Sequence, residues 1–438
     1  MNKLILFTAI FISLFADKTK MYAKGELTPG IQLYNASNTG YMNINQQNYV
    51  ALNIYYSGTE DKVNYTVAIE MDGKRIVEQN ITRTTPIYDA KDTIRFNLKD
   101  IDLGEHTLKI YIDASKSSVQ ISKNSEIIQN KVILYSQSVK RQKFLIEQFT
   151  SVDCRYCPSG SRFIKHFIKN RNDIALVAIH GGVGDDPMSV YPLCYNIWEN
   201  HNVTGLPAAS FNRTIDGNGR LSMPINFNEI GFNSLNEHFS KLFDSLNKTI
   251  PSFVTLNIQT NMLNNSNINI TIEGKGVEQA PKIINGQKLY VYITEDGIIS
   301  PQFDDGITIP KYVHNNVLRN CLSDINGDEI KWDGDNFKHT YTYKLTNKNN
   351  PKNMHVVAFI APPLNDPKLR KTFTKYIVNQ ANIKGISTTN SSNNINKINI
   401  CPTIEYYSIM GQKVNAPIEG NIYIVKYKNG KTKKILYK

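Results

Sequence analysis

Alternating apolar and polar positions dominate the first third of the chain. In "VNYTVAIEM", Val63, Tyr65, Val67 and Ile69 recur at every second position and share one face of a strand. "VALNIY" and "TLKIYID" repeat the alternation, the latter through Leu108, Ile110 and Ile112. Asp72-Gly73, between "YTVAIEM" and "KRIVEQ", is a hairpin signal. Short strands separated by turn signals predict an Ig-like β-sandwich over residues 28–138.

The pattern changes near Lys143. "KFLIEQFT" is mostly apolar, as a strand buried on both faces must be. "PSGSRFIKHFIKN" then places Phe163, Ile164, Phe167 and Ile168 on one helical stripe. "DIALVAIHGG" and "GLPAASFN" read as strands, and "SLNEHFSKLFDSL" as an amphipathic helix through Leu235, Phe239, Leu242, Phe243 and Leu246. The resulting β-α-β-α-β-β-α order predicts an α/β layered domain over 143–249. Strands return in "FVTLNIQ", "NINITIEG", "KLYVYITED" and "HVVAFIA", predicting a second β domain over 252–380. "GISTTNSSNNINK", residues 385–397, reads as a polar linker, and 398–438 as a small β unit. The predicted fold class is α+β multidomain: a central α/β domain, β-sandwich-like domains on either side of it, and a small C-terminal β domain.

Composition narrows the setting. Of 438 residues, the excess of Lys and Arg gives a net charge of +12, spread along the chain rather than gathered in a stripe. No reading element for nucleic acid accompanies it, so a solvated surface attracted to anionic headgroups or acidic polymers is expected instead. Lys3 followed by the apolar run Leu4 to Ala16 predicts a signal peptide over residues 1–23. Export permits disulfides, and the chain has five cysteines: Cys154, Cys157, Cys194, Cys321 and Cys401. An odd count leaves at least one without an intramolecular partner.

Candidate chemistry concentrates in "TSVDCRYCPSG". Cys154 and Cys157 stand at a strand-to-helix junction, with Pro158 suited to the first helical turn. A helix N-terminus and the adjacent Arg155 both favour a thiolate. Cys154 is expected to be the exposed, attacking sulfur and Cys157 the covered, resolving one. A permanent local staple fits the same spacing, whereas a zinc site lacks its other ligands. Pro207, after Leu206 in "VTGLPAASF", is expected at the start of a strand, and the resemblance of this arrangement to thioredoxin-like folds implies a cis bond there, facing the two sulfurs. Asp185-Asp186 reads as a solvated loop, His180 as a strand end and His314 as a packing residue.

Residues 143–248 resemble a thioredoxin-fold domain, carried by "FLIEQFTSVDCRYCP" and "GLPAASFNR". More narrowly, "LIEQFT", "HGG", "DPM", "TGLPAASFNR" and "YVHNNVLRN" resemble the outer-membrane-protein-28-related family of Gram-negative bacteria, over roughly 144–378. The resemblance implies that the central α/β domain is thioredoxin-like, with Cys154, Cys157 and Pro207 catalytic and Leu206, Arg155 and Tyr156 on the substrate side. It implies thiol–disulfide exchange on exported protein thiols and disulfides, with no cofactor beyond the Cys154–Cys157 redox pair. One departure stands out: Gln148 occupies the place where thioredoxins carry a buried carboxylate, with Glu147 next to it on the opposite strand face. The tail, through "GQKV" at 411–414, "GNIYIV" at 420–425, Lys433 and Lys434, resembles a type IX secretion sorting domain. That implies the type IX machinery as a partner and display at, or release from, the outer membrane surface. A different class of function stays open: a surface binding, adhesion or envelope structural protein that uses the fold as scaffold.

Overall fold

Period-two patterning builds the first sandwich. Its strands are β1 (Gly30–Ser37), β2 (Tyr41–Asn43), β3 (Asn48–Ser57), β4 (Lys62–Met71), β5 (Lys74–Thr84), β6 (Ala90–Phe96), β7 (Gly104–Asp113) and β8 (Ile128–Tyr135). They form a three-stranded sheet, β1-β3-β6, and a five-stranded sheet, β2-β8-β7-β4-β5. Val63, Tyr65, Val67 and Ile69 of β4 are buried against Leu33, Leu52 and Ile54 of the facing sheet. The β4–β5 turn is Asp72-Gly73, both at positive φ (51° and 82°), the geometry of a two-residue hairpin loop. The Tyr65 hydroxyl donates to Asp92, which also pairs with Arg83, so the polar end of this core side chain is satisfied.

The computed structural model describes residues 29–387, apart from 38–39, 86, 88–89, 182–184, 216–219, 226–230, 265, 347–348 and 365–376, and then 405–408, 412–414, 422–426 and 432–436. The expected signal peptide, Cys401, and residues 388–397 of the expected linker lie outside the described residues.

The next elements are β9 (Phe144–Thr150), α1 (Cys157–Ile168), β10 (Ile174–His180), α2 (Leu193–Asn200), β11 (Ala208–Phe211), β12 (Met223–Pro224) and α3 (Phe232–Thr249). Strands then follow without another long helix: β13 (Val254–Asn264), β14 (Asn267–Gly276), β15 (Lys288–Glu295), β16 (Ile298–Asp304), β17 (Ile307–His314), β18 (Val317–Cys321), β19 (Asp328–Glu329), β20 (Trp332–Asp333), β21 (Asn336–Lys344), β22 (Met354–Ala361) and β23 (Gln380–Gly385). β9 runs parallel to β10 and antiparallel to β11. The sheet does not stop at β10, whose outer edge pairs with β18 through Ala178 N–H to Asn316 O at 2.7 Å. The order is β12-β11-β9-β10-β18-β15-β22-β23, with β19 beside β15.

This corrects the expected α+β architecture with a central thioredoxin-like α/β domain. The described chain is predominantly strand, and no separate central α/β domain stands out. The physical reason is the edge of β10. An exposed edge carries unpaired backbone donors and acceptors, and here it is covered by a strand about 140 positions away that period and propensity cannot reveal.

The long sheet has three coverings. Even-numbered residues of β9, Phe144 and Ile146, pack with α1 and α3 through Phe163, Phe167, Phe239 and Phe243. Odd-numbered Leu145 and Phe149 face α2 and the aromatic residues Tyr290, Tyr292 and Phe359. The opposite face of β15 and β22 (Val291, Ile293, Val356, Ala358) closes a second sandwich on a sheet ordered β13-β14-β21-β20. Separately, the chain splits between residues 388 and 389 into two compact units. The described part of the second unit is an antiparallel sheet of β24 (Glu405–Ser408), β25 (Lys413–Val414), β26 (Ile422–Lys426) and β27 (Thr432–Leu436), ordered β25-β24-β26-β27.

Candidate functional site

Cys154 and Cys157 are joined in a disulfide at the mouth of α1. Cys157 is the first residue of the helix and only 1% exposed, while Cys154 is half-buried one turn ahead of it. Cys157 N–H donates to Cys154 O at 3.2 Å, closing the turn. Pro158 occupies the first helical turn, and the helix has no side-chain cap. Tyr156 is 45% exposed beside them.

The Leu206–Pro207 bond is cis, and Pro207 lies against the first turn of α1. A Cβ on Gly160 would stand 2.8 Å from Pro207 Cβ and 3.0 Å from Ile225 Cδ1, so only glycine admits this approach. The fold therefore brings Cys154, Cys157 and Pro207 to one end of α1. Leu206, half-buried, packs instead toward the core on the α2 side of the sheet.

The two residues before the loop divide across the strand. Gln148 faces α1, where its side-chain amide donates to Ser161 Oγ at 2.8 Å. Glu147 faces the other way. Its carboxylate accepts two bonds from Arg213, at 3.0 and 2.8 Å, and lies 3.0 Å from His201 Nε2. Burial alone would raise the Glu147 carboxyl, but Arg213 and His201 outweigh it and hold it well below the usual carboxylate range. Arg213 lies against the stacked rings of Tyr290 and Phe359, whose centroids are 4.6 and 4.7 Å from its guanidinium carbon. This constellation lies within the core on the sheet face away from Gln148, so Glu147 serves the fold rather than the sulfurs.

A hairpin from far along the chain grips the cysteine loop. β16 and β17 are joined by Asp305-Gly306, both at positive φ (45° and 97°). The Gln302 amide donates to the carbonyls of Ser151 and Val152 at 3.1 and 3.0 Å. Phe303 N–H donates to Val152 O at 2.9 Å, and Asp305 N–H to Arg155 O at 3.0 Å. The Arg155 side chain meets the Asp305 carboxylate at 2.7 Å, and Arg162 meets Asp304 at 2.9 Å. The Asp305 hydrogen bond raises the already high Arg155 pKa. Sequence reasoning missed this hairpin, although Asp305-Gly306 between "IISPQF" and "ITI" carries the same signal as Asp72-Gly73.

Beneath the loop sits a histidine–carboxylate cluster. Asp186 is buried, not solvated: it accepts from Val152 N–H at 3.0 Å and Met188 N–H at 2.9 Å, and lies 2.9 Å from His180 Nδ1. Burial would raise its carboxyl, but His180 and the two N–H groups bring it below the usual value. His314, on β17, stands edge-on to His180 with ring centroids 5.2 Å apart. Burial first, and then His180, push the His314 imidazole down to about 4. Among the described residues, no group of three or more His, Cys, Asp or Glu is arranged to hold a metal ion. Cys194 is buried and Cys321 partly so, and neither is bridged. Burial pushes the Cys321 thiol up to about 11.

Fold and site together describe a β-rich protein with a disulfide at a strand–helix junction and a hairpin fastened to it. The family model for outer membrane protein Omp28 matches residues 195–368. It takes in "TGLPAASFNR" and "YVHNNVLRN" but starts beyond Cys154 and Cys157, and covers less than half of the chain. The match is to a family of outer membrane proteins, which agrees with the expected export to the outer membrane or cell surface.

Among solved structures, the chain is similar to HBP35 of Porphyromonas gingivalis at 17% identity and a TM-score of 0.47, over 68% of this chain and 98% of that one. It is similar to a domain of the outer membrane lipoprotein Omp28 from the same organism at 19% identity and a TM-score of 0.21, over 31% of this chain and 89% of that one. A CARDB domain from Pyrococcus furiosus aligns at 12% identity and a TM-score of 0.22, over 27% of this chain and all of that one. No curated protein matches.

Proposed function

We propose that the protein is an exported envelope protein serving as a surface binding or structural scaffold, with Cys154–Cys157 as a lasting local disulfide. The observation that carries this reading is the fastening of the cysteine loop to the β16–β17 hairpin by backbone bonds, the Gln302 amide and the Arg155–Asp305 pair. A neutral Gln148 on the α1 face, where an exchange enzyme needs a proton acceptor, supports it further. The tail residues Lys413, Val414 and Ile422 to Val425 lie on strands of the second unit, and we read that unit as the type IX sorting domain, engaging the secretion machinery.

A second reading, thiol–disulfide exchange on exported proteins, is favoured by one asymmetry: Cys154 is half-exposed while Cys157 is covered. In that reaction the Cys154 thiolate attacks a substrate disulfide, forming a mixed disulfide and expelling one substrate thiolate. The Cys157 thiolate then attacks the Cys154 sulfur, restoring the Cys154–Cys157 bond and releasing the second thiolate. The substrate gains the two electrons that the cysteine pair loses. Arg155, Tyr156 and Pro207 would border the substrate.

Trapping separates the two. In the scaffold reading, Cys157→Ser accumulates no mixed disulfides with exported proteins, and the wild-type pair survives mild reductant. Mixed disulfides through Cys154 would replace the scaffold reading with the exchange reading.

A further inference from the structure

The hairpin tip and the cysteine loop are charge-complementary. Arg155, between the two cysteines, and Arg162, in the second turn of α1, are both cationic, while Asp304 and Asp305 are consecutive acids at the tip. The two-residue turn and the Phe303 and Asp305 backbone bonds fix the register, so Asp305 is held against Arg155. A cation beside a sulfur lowers the cost of ionising it. A carboxylate 2.7 Å from that cation cancels much of the benefit.

We propose that Asp305 is a positioning residue for the disulfide: by engaging Arg155, it withholds that cation from the Cys154 sulfur in the reduced protein. The thiolate is then less stable than a free arginine would make it, and the disulfide correspondingly harder to reduce. This inference rests on the reading of Cys154–Cys157 as a lasting local disulfide, whose resistance to reduction it deepens.

The test uses the full chain, reduced with dithiothreitol, which supplies two electrons and two protons and becomes its own cyclic disulfide. Iodoacetamide labelling of Cys154 is followed against pH by peptide mass spectrometry with fragmentation, which separates it from Cys157, Cys194, Cys321 and Cys401. Asp305→Asn keeps a side chain that tolerates positive φ. Because the ion pair is exposed, the expected gain in Cys154 thiolate at a pH below its pKa is modest, about two- to five-fold. Arg155→Ala should lose thiolate relative to wild type, and adding Asp305→Asn to Arg155→Ala should give a smaller gain than Asp305→Asn gives alone.

An unchanged or raised Cys154 pKa in Asp305→Asn overturns the proposal. So does the same gain with Arg155 absent, since it would assign the effect to the carboxylate alone, and so does a Cys154 that stays unlabelled after reduction. The labelling reads the thiol itself. A missing mixed disulfide in the Cys157→Ser trap therefore counts against exchange without touching this result.

Discussion

Replacing Arg213 with methionine removes a buried guanidinium while keeping most of its volume. Arg213 is 1% exposed and makes both of its short bonds to Glu147, which is fully buried. The variant leaves that carboxylate with His201 as its remaining partner on the core side of β9. Breaking a buried pair from one side costs about 3–5 kcal/mol, because a charge stays desolvated without its counterion. In thermal unfolding at neutral pH this lowers Tm by about 6 °C or more, at roughly 2 °C per kcal/mol for a large domain. The loss depends on pH in a definite direction. In the native protein the Glu147 carboxyl sits below its unfolded value, so its stabilisation is present above the ordinary carboxylate range and is lost as pH falls through the lower folded value. In Arg213→Met, burial acts without the guanidinium to oppose it, and the carboxyl rises. The penalty is then largest at neutral pH and fades as the pH drops into the acid range, where the group is neutral. Adding Glu147→Gln should recover at least about 1 kcal/mol relative to the sum of the single changes. A loss below about 1 kcal/mol at neutral pH, or one that stays constant from neutral to acid pH, would refute the assignment of this pair as a desolvated charge couple.

Gly160→Ala should destabilise the protein by about 1–3 kcal/mol in urea unfolding, because the new methyl meets Pro207 at 2.8 Å and the helix start must shift. His314→Phe should flatten the stability profile between about pH 6.5 and 4: the folded imidazole is depressed to about 4, so native stability is lost as pH falls from the unfolded to the folded value, by up to ~1.4 kcal/mol per pH unit. A profile unchanged by the substitution would remove His314 from that role. Asp186→Asn should loosen the cysteine loop, seen as faster hydrogen exchange at the Val152 amide, since that N–H donates to the carboxylate.

Local physics was legible along the chain. Period-two alternation placed Val63, Tyr65, Val67 and Ile69 in one core, and Asp72-Gly73 marks the turn between their strand and the next. The helical stripe Phe163, Ile164 and Phe167 is buried, as are Phe239, Leu242, Phe243 and Leu246. The two faces of β9 separate Gln148 from Glu147, as residue parity requires. The role of "SFNR" was not legible. Its Arg213 is a core ion-pair residue, and its Asn212 ties β9 to the segment before β23 through Leu145 and Val378. Nothing in the pattern of those four letters says which distant strands they join.

The sequence alone determined most of the elements, because side-chain periodicity and turn chemistry act over a few residues. It also determined that two cysteines stand where a strand gives way to a helix. Only the tertiary structure decided that the α/β stretch is not a domain of its own but one wing of a long mixed sheet. The same structure set an acidic hairpin tip, about 150 positions from Arg155, against the loop that holds the disulfide. Pairing of strand edges and of opposite charges depends on distance in space. The residues involved carry no mark of one another in the chain.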